Sequence, residues 1–176
     1  DRVSLHAFRS MGRANVEVTP VKRFGDAADA ALLRRLASLR AGAYTRLGAA
    51  IRHGTALLER ESGTGQRLLV VLSDGFAYDH GYEGNYGQAD ARRALVEARR
   101  SGIGCLCLSV GGVAESEELG RVFGSAAHAT LQDAAELSLR ARWLFTSALR
   151  SADSQRRQWS RADRSRSRQL DDRRSA

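Results

Sequence analysis

Apolar positions along the chain follow two rhythms. Residues 3–8 and 16–21 are rich in β-formers and flank the turn-like Met11-Gly12-Arg13-Ala14-Asn15, a pattern that predicts a hairpin. Pro20 lacks an N–H and so marks the second of these strands as an edge. Residues 26–39 carry apolar side chains at helical spacing. After the break Arg40-Ala41-Gly42-Ala43-Tyr44, a second helix is predicted from about Arg46 to Arg60, ending at Ser62-Gly63-Thr64-Gly65. Residues 68–72 form an uninterrupted aliphatic run, as expected of a strand buried on both faces of a parallel sheet. Ser73-Asp74-Gly75 lies at its C-terminal end, followed by a polar, aromatic-rich loop to Gly87. A helix over 88–101 and a second buried strand over 103–110 follow. A short helix over 115–123, a short strand over 127–131 and a last helix from Asp133 to about Arg150 complete the pattern, with Leu137, Trp143, Leu144 and Leu149 offered to the core.

Strands alternating with helices of ten to fifteen residues predict an α/β fold, a doubly wound, Rossmann-like, mostly parallel sheet with helices on both faces. Ligands of such sheets bind beyond the C-terminal ends of the strands, where strand order reverses. That rule places Asp74 and the loop over 75–87 at the candidate site.

Composition narrows the class. At 176 residues and 43% hydrophobic content the chain suits one globular domain, predicted over 1–150, followed by an Arg/Ser-rich tail over 151–176 that is disordered or extends the last helix. No run of eighteen apolar residues occurs and the start lacks a signal-like apolar stretch, so a cytoplasmic protein is expected. Asp1 opens almost directly into a strand-like segment, and the natural N-terminus is expected upstream. Cys105 and Cys107 sit two apart on one strand face, too far for an unstrained bridge, and read as buried thiols. His6, His53, His80 and His128 are scattered without zinc-ligand spacing.

The net charge of +8 is uneven. The tail holds eight Arg and four Asp, so it contributes +4, and the body is only mildly basic. A nucleic-acid-binding module acting through that tail is one alternative; a doubly wound enzyme of unknown reaction is another. Neither a phosphate-cradling Gly-x-x-x-x-Gly-Lys-Ser/Thr nor a Gly-x-Gly-x-x-Gly after a strand is present, and no nucleophile accompanies Asp79, His80 and Glu83.

Two residues carry the candidate chemistry. Asp74 ends an apolar strand as Leu-Ser-Asp-Gly, and Thr45 opens a helix after the Gly-containing Gly42-Ala43-Tyr44. A carboxylate and a hydroxyl are hard oxygen donors suited to Mg²⁺, although two alone hold it weakly. Each also has a bland reading, Thr45 as a helix N-cap and Asp74 as a turn former. Tyr44, Arg46, Asp79, Tyr82, Glu83 and Tyr86 are candidate partner-contact residues, because aromatics on a positioned loop favour recognition; a loop packed on its own tyrosines is the alternative.

From about Arg2 to Arg150 the chain resembles the von Willebrand factor A domain of the nitric-oxide-reductase activation proteins and rubisco-activating adaptors. The likeness is carried by Gly-Ala-Tyr-Thr-Arg-Leu-Gly-Ala-Ala-Ile-Arg-His (42–53), Leu-Ser-Asp-Gly (72–75) and Tyr-Glu-Gly-Asn-Tyr-Gly-Gln-Ala-Asp-Ala-Arg-Arg-Ala (82–94). The resemblance implies a metal-ion-dependent adhesion site with Thr45 and Asp74 as ligands and a partner carboxylate at the open position. It implies a non-enzymatic adaptor linking a MoxR-class AAA+ ATPase to a client metalloenzyme. The family's first metal loop, Asp-x-Ser-x-Ser, does not occur at its usual place, and Ala77 stands where a proline is usual. Asp163-Arg164-Ser165-Arg166-Ser167 spells the motif among repelling arginines and without a preceding apolar strand, so it reads as a decoy. The resemblance further implies that the first central strand is missing, leaving either a gap or a direct pairing between the strands at 3–8 and 68–72, and an aggregation-prone chain.

Overall fold

In a computed structural model the described residues are 2–42, 44–73, 78–110, 120, 122–123, 127–132, 135–136, 138–140, 142–154 and 157. Among them the chain runs β1 (Leu5–Ser10), β2 (Val16–Lys22), α1 (Ala30–Ser38), α2 (Leu47–Glu61), β3 (Leu68–Ser73), α3 (Gly84–Arg100), β4 (Gly104–Val110) and β5 (Ala127–Leu131). A further helical segment covers residues 142–154. The alternation places the chain in the doubly wound, Rossmann-like class expected from its pattern.

Two sheets result. β1 and β2 form the antiparallel hairpin, and β3, β4 and β5 form a parallel sheet in that order. No hydrogen bond joins β1 to β3 among the described residues, which is the gap, and not the direct pairing, of the two arrangements expected.

Alternation along β4 feeds two cores. Cys105 and Cys107 point to one face, where they pack with Val71, with Ile51 of α2 and with Ala91, Ala94 and Leu95 of α3. Leu106 and Leu108 point to the other, against Ala129 and Leu131 of β5 and Leu144 and Ala148 of the last helical segment. Because successive residues of a strand face opposite ways, one aliphatic run serves both layers. Burial pushes the Cys105 thiol up to about 12, so it stays protonated and unreactive while the sheet is closed.

β3 departs from the expectation that both its faces are buried. Val71 is covered, but Val70 and Leu72 are 38% and 56% exposed. The second core takes only Leu68 from this strand. The last helical segment lies over β4 and β5 and leaves the C-terminal half of β3 bare on that side, at the edge of the sheet.

Helix boundaries shift for identifiable reasons. α1 begins at Ala30, not Asp26, because the Asp29 carboxylate caps it by accepting from Ala31 N and Leu32 N, while Asp26 accepts from Arg23 N in a turn. α3 begins at Gly84, four residues earlier than predicted, since Gly87 falls on the same buried stripe as Ala91, Ala94, Leu95 and Ala98. Trp143, expected in the core, is 67% exposed; the small residues Ala148 and Ala152 are buried instead. Leu137, most of the predicted helix over 115–123 and the tail beyond residue 157 lie outside the described residues.

Candidate functional site

The segment between α1 and α2 runs as a strap past the end of the hairpin. Tyr44 bridges Ser10, whose N–H donates to Tyr44 O at 2.9 Å. Thr45 then bridges Tyr78, Thr45 N donating to Tyr78 O at 2.7 Å and Tyr78 N to Thr45 O at 3.1 Å. Thr45 is therefore fixed against the chain that follows β3. The α2 N-cap position belongs to Arg46, which makes no side-chain cap, so the N-cap reading of Thr45 fails. Asp74 lies outside the described residues, and with it the separation of the two candidate ligands.

Beside this bridge lies a buried charge. Asp79 is 0% exposed. Its carboxylate accepts from Gly12 N at 2.8 and 3.0 Å, from His80 N at 2.7 Å and from Arg46 Nε at 2.9 Å. Desolvation opposes ionisation, yet the donors at Gly12, Ser10, His80 and Arg46 outweigh it and hold this carboxyl below its ordinary range. Gly12, at φ +82°, gives the hairpin turn the left-handed conformation that aims its N–H here. Arg46 also donates to His80 O at 2.8 Å, and its own N–H donates to Ser10 Oγ at 3.0 Å. One carboxylate thus joins hairpin turn, strap and loop.

The network continues into the helices. The Arg46 guanidinium stacks over the Tyr82 ring, 4.6 Å from its centroid. Tyr82 donates its hydroxyl to Asp90 Oδ2 and accepts from Gly48 N at 3.2 Å. Burial, then the bond to Asp90, raises the Tyr82 hydroxyl pKa well above its usual value. Arg52 binds Asp90 at 2.9 Å and Glu97 at 2.8 Å. Gly48 is where α2 admits this cluster: a Cβ there would sit 2.0 Å from Asp90 Oδ2 and 2.9 Å from the Tyr82 hydroxyl.

The candidate contact residues accordingly separate. Arg46, Asp79 and Tyr82 are buried inside the protein and do not form the exposed recognition surface expected of them. Tyr86 is 62% exposed and Glu83 is exposed, while Tyr44 is half-buried between Tyr78 and His80 with ring centroids 5.8 and 4.7 Å away. Ser10, Gly12, Gly48, Arg52 and Asp90, none of them singled out by sequence, complete the network.

With this geometry in place, the comparisons with known proteins are decisive: residues 1–140 match the von Willebrand factor type A domain family. The chain belongs to that family. This von Willebrand factor type A domain is 38% identical over 139 residues to Protein NorD of Brucella suis biovar 1, covering 78% of this chain and 22% of that protein. It is 34% identical over 146 residues to an uncharacterized protein of Pseudomonas aeruginosa, covering 82% of this chain and 24% of that one. NorD of Stutzerimonas stutzeri matches at 37% over 111 residues, 62% of this chain and 18% of that protein. The domain therefore spans about a fifth to a quarter of the length of these relatives. A protein-interaction or adaptor module is the class of function that goes with this family. Among the described residues no helix is long and apolar enough to cross a membrane.

Proposed function

We propose that this domain is a non-catalytic, metal-assisted protein-binding module in which Thr45 and Asp74 contribute oxygen ligands to Mg²⁺. The observation that carries the reading is the two-bond bridge between Thr45 and Tyr78. Asp74 follows Ser73, the last residue of β3, and is four residues from Tyr78, so the chain between them reaches at most about 14 Å. The chain that follows the C-terminal end of β3 is thus paired with Thr45, and ligands of doubly wound folds bind beyond such strand ends.

The donor types suit a hard cation. A threonine hydroxyl not engaged as a helix cap and a carboxylate are oxygen ligands of the kind Mg²⁺ takes. Asp79, the carboxylate beside the bridge, is fully engaged by its own donors and is not a ligand. Among the described residues no group of three His, Cys, Asp or Glu side chains is placed to hold a metal. Two oxygen ligands hold Mg²⁺ loosely, so its binding to this chain alone should be weak in calorimetric titration. When bound, the cation supplies an open position for a partner carboxylate, a charge-assisted link at the centre of the interface. Thr45 and Asp74 orient the cation; Tyr44 and Tyr86 border the contact.

The wider reading is a cytoplasmic adaptor between a MoxR-class AAA+ ATPase, which hydrolyses the ATP, and a client metalloenzyme that supplies the carboxylate. Pull-down of the client by a protein containing this domain tests it. Thr45→Ala, Asp74→Ala and chelation should each abolish capture with far-UV circular dichroism unchanged. Capture indifferent to all three refutes the metal bridge.

A further inference from the structure

The outward face of α3 is a second candidate surface. Its inward stripe is made of Gly87, Ala91, Ala94, Leu95 and Ala98. On the opposite side a shallow groove of about 570 Å³ is lined by Ala89, Arg92, Arg93, Val96 and Arg100, with the amides Asn85 and Gln88 beside them. The acids of the helix are elsewhere. Asp90 and Glu97 lie on the flank toward α2, where Arg52 binds both, at 2.9 and 2.8 Å. Arg93 shares Glu97 at 3.0 Å. Arg92 and Arg100 have no carboxylate partner among the described residues. The groove therefore has a small apolar floor, Ala89 and Val96, between cations whose own helix has already committed its anions.

We propose that this face docks an acidic amphipathic segment of a partner protein, its carboxylates on Arg92, Arg93 and Arg100 and one apolar side chain on Ala89 and Val96. Guanidinium groups pair carboxylates in bidentate fashion, and the i, i+4, i+8 spacing of Arg92, Val96 and Arg100 matches successive turns of a helix laid alongside. Nucleic acid fits less well. Phosphate-backbone binding draws on about 6 to 10 neutralised phosphates, whereas this groove offers three cations, and none of its described lining residues is aromatic. The proposal is separate from the metal reading, since neither Arg92 nor Arg100 belongs to the strap or to the Asp79 network.

The test is fluorescence anisotropy of the full chain with three probes: a labelled helix-forming peptide carrying a Glu face and a Leu stripe, the same peptide with Lys for Glu, and a random-sequence DNA duplex. Binding is expected for the acidic peptide alone, and it should weaken as salt rises. Arg92→Glu with Arg100→Glu should reduce its affinity about tenfold or more, while Arg13→Glu with Arg34→Glu, an equal charge change on exposed residues elsewhere, should alter it by less than about twofold. Should the first pair fail to fold, Arg92→Gln with Arg100→Gln is the replacement, with about a threefold loss expected. Equal losses from both charge-reversed pairs, tighter binding to the duplex, or no binding of the acidic peptide overturns the proposal.

Discussion

The β4 layer and the β1–β2 hairpin are held by opposite means. β4 has an apolar core on each face, one closed by α2 and α3 and the other by β5 and the last helical segment. The hairpin contributes Phe8 to the edge of one core and buries Val21, and its turn and ends are fastened through polar atoms: Gly12 N on Asp79, Ser10 on the strap, and the Arg2 guanidinium on Ser62 O at 3.2 Å. Apolar burial is non-directional and tolerates repacking. A buried carboxylate with fixed donors tolerates almost nothing, because removing it strands every partner at once.

The largest effect should come from Asp79→Ala. Breaking a buried pair costs about 3 to 5 kcal/mol, and here the loss should fall on the hairpin. Amide exchange over Val16–Lys22 should become fast while Gly104–Val110 stays protected; equal loss in both would erase the distinction. Leu106→Ala should cost about 2 to 5 kcal/mol and shift the denaturant midpoint for every probe together, hairpin included. A change confined to β4 would mean that the two regions unfold independently.

Gly48→Ala places a methyl group against Asp90 and Tyr82, and overpacking of this kind costs about 1 to 3 kcal/mol. The midpoint of thermal unfolding should fall, with the Tyr82 environment altered in near-ultraviolet dichroism. Gly48→Ala matching wild type in both would show that α2 and α3 have slack between them. The smallest effect concerns pH. His6 faces His53 across 6.1 Å, with Glu61 and Arg23 also lining the cleft between hairpin and α2. Burial, then His53, lowers its pKa below 6.5, and the opposing pull of Glu61 does not restore it. A depressed histidine contributes its stability above the unfolded value of 6.5 and loses it as pH falls toward the folded value. The protection factors of the hairpin amides, corrected for the intrinsic slowing of exchange in acid, should therefore fall as pH drops below 6.5, before Asp79, itself depressed, begins to protonate. His6→Phe should flatten that response.

Sequence pattern revealed the β4 layer and concealed the Asp79 network, for one physical reason. Strands of a parallel sheet write themselves as aliphatic runs, so 68–72 and 103–110 were readable locally, as was the hairpin from its turn residues. The bareness of Val70 and Leu72 was not, because coverage depends on where residues 142–154 cross the sheet. Asp79 reads as an ordinary loop acid; its partners Arg46 and Gly12 are 33 and 67 residues away. Gly48 sits in a run of small residues with no mark of the helix that approaches it. Thr45 was recognisable as a residue of interest, and the structure ties it to Tyr78; Asp74 remains an expectation from its place after β3.

Three crossings join the loop after β3, the strap and the hairpin pairwise: Tyr78 to Thr45, Tyr44 to Ser10, and Asp79 to Gly12. Mechanically they form a triangle, the one planar frame that cannot shear without stretching a side. The hairpin turn therefore cannot slide along the strap without breaking at least one of the three contacts.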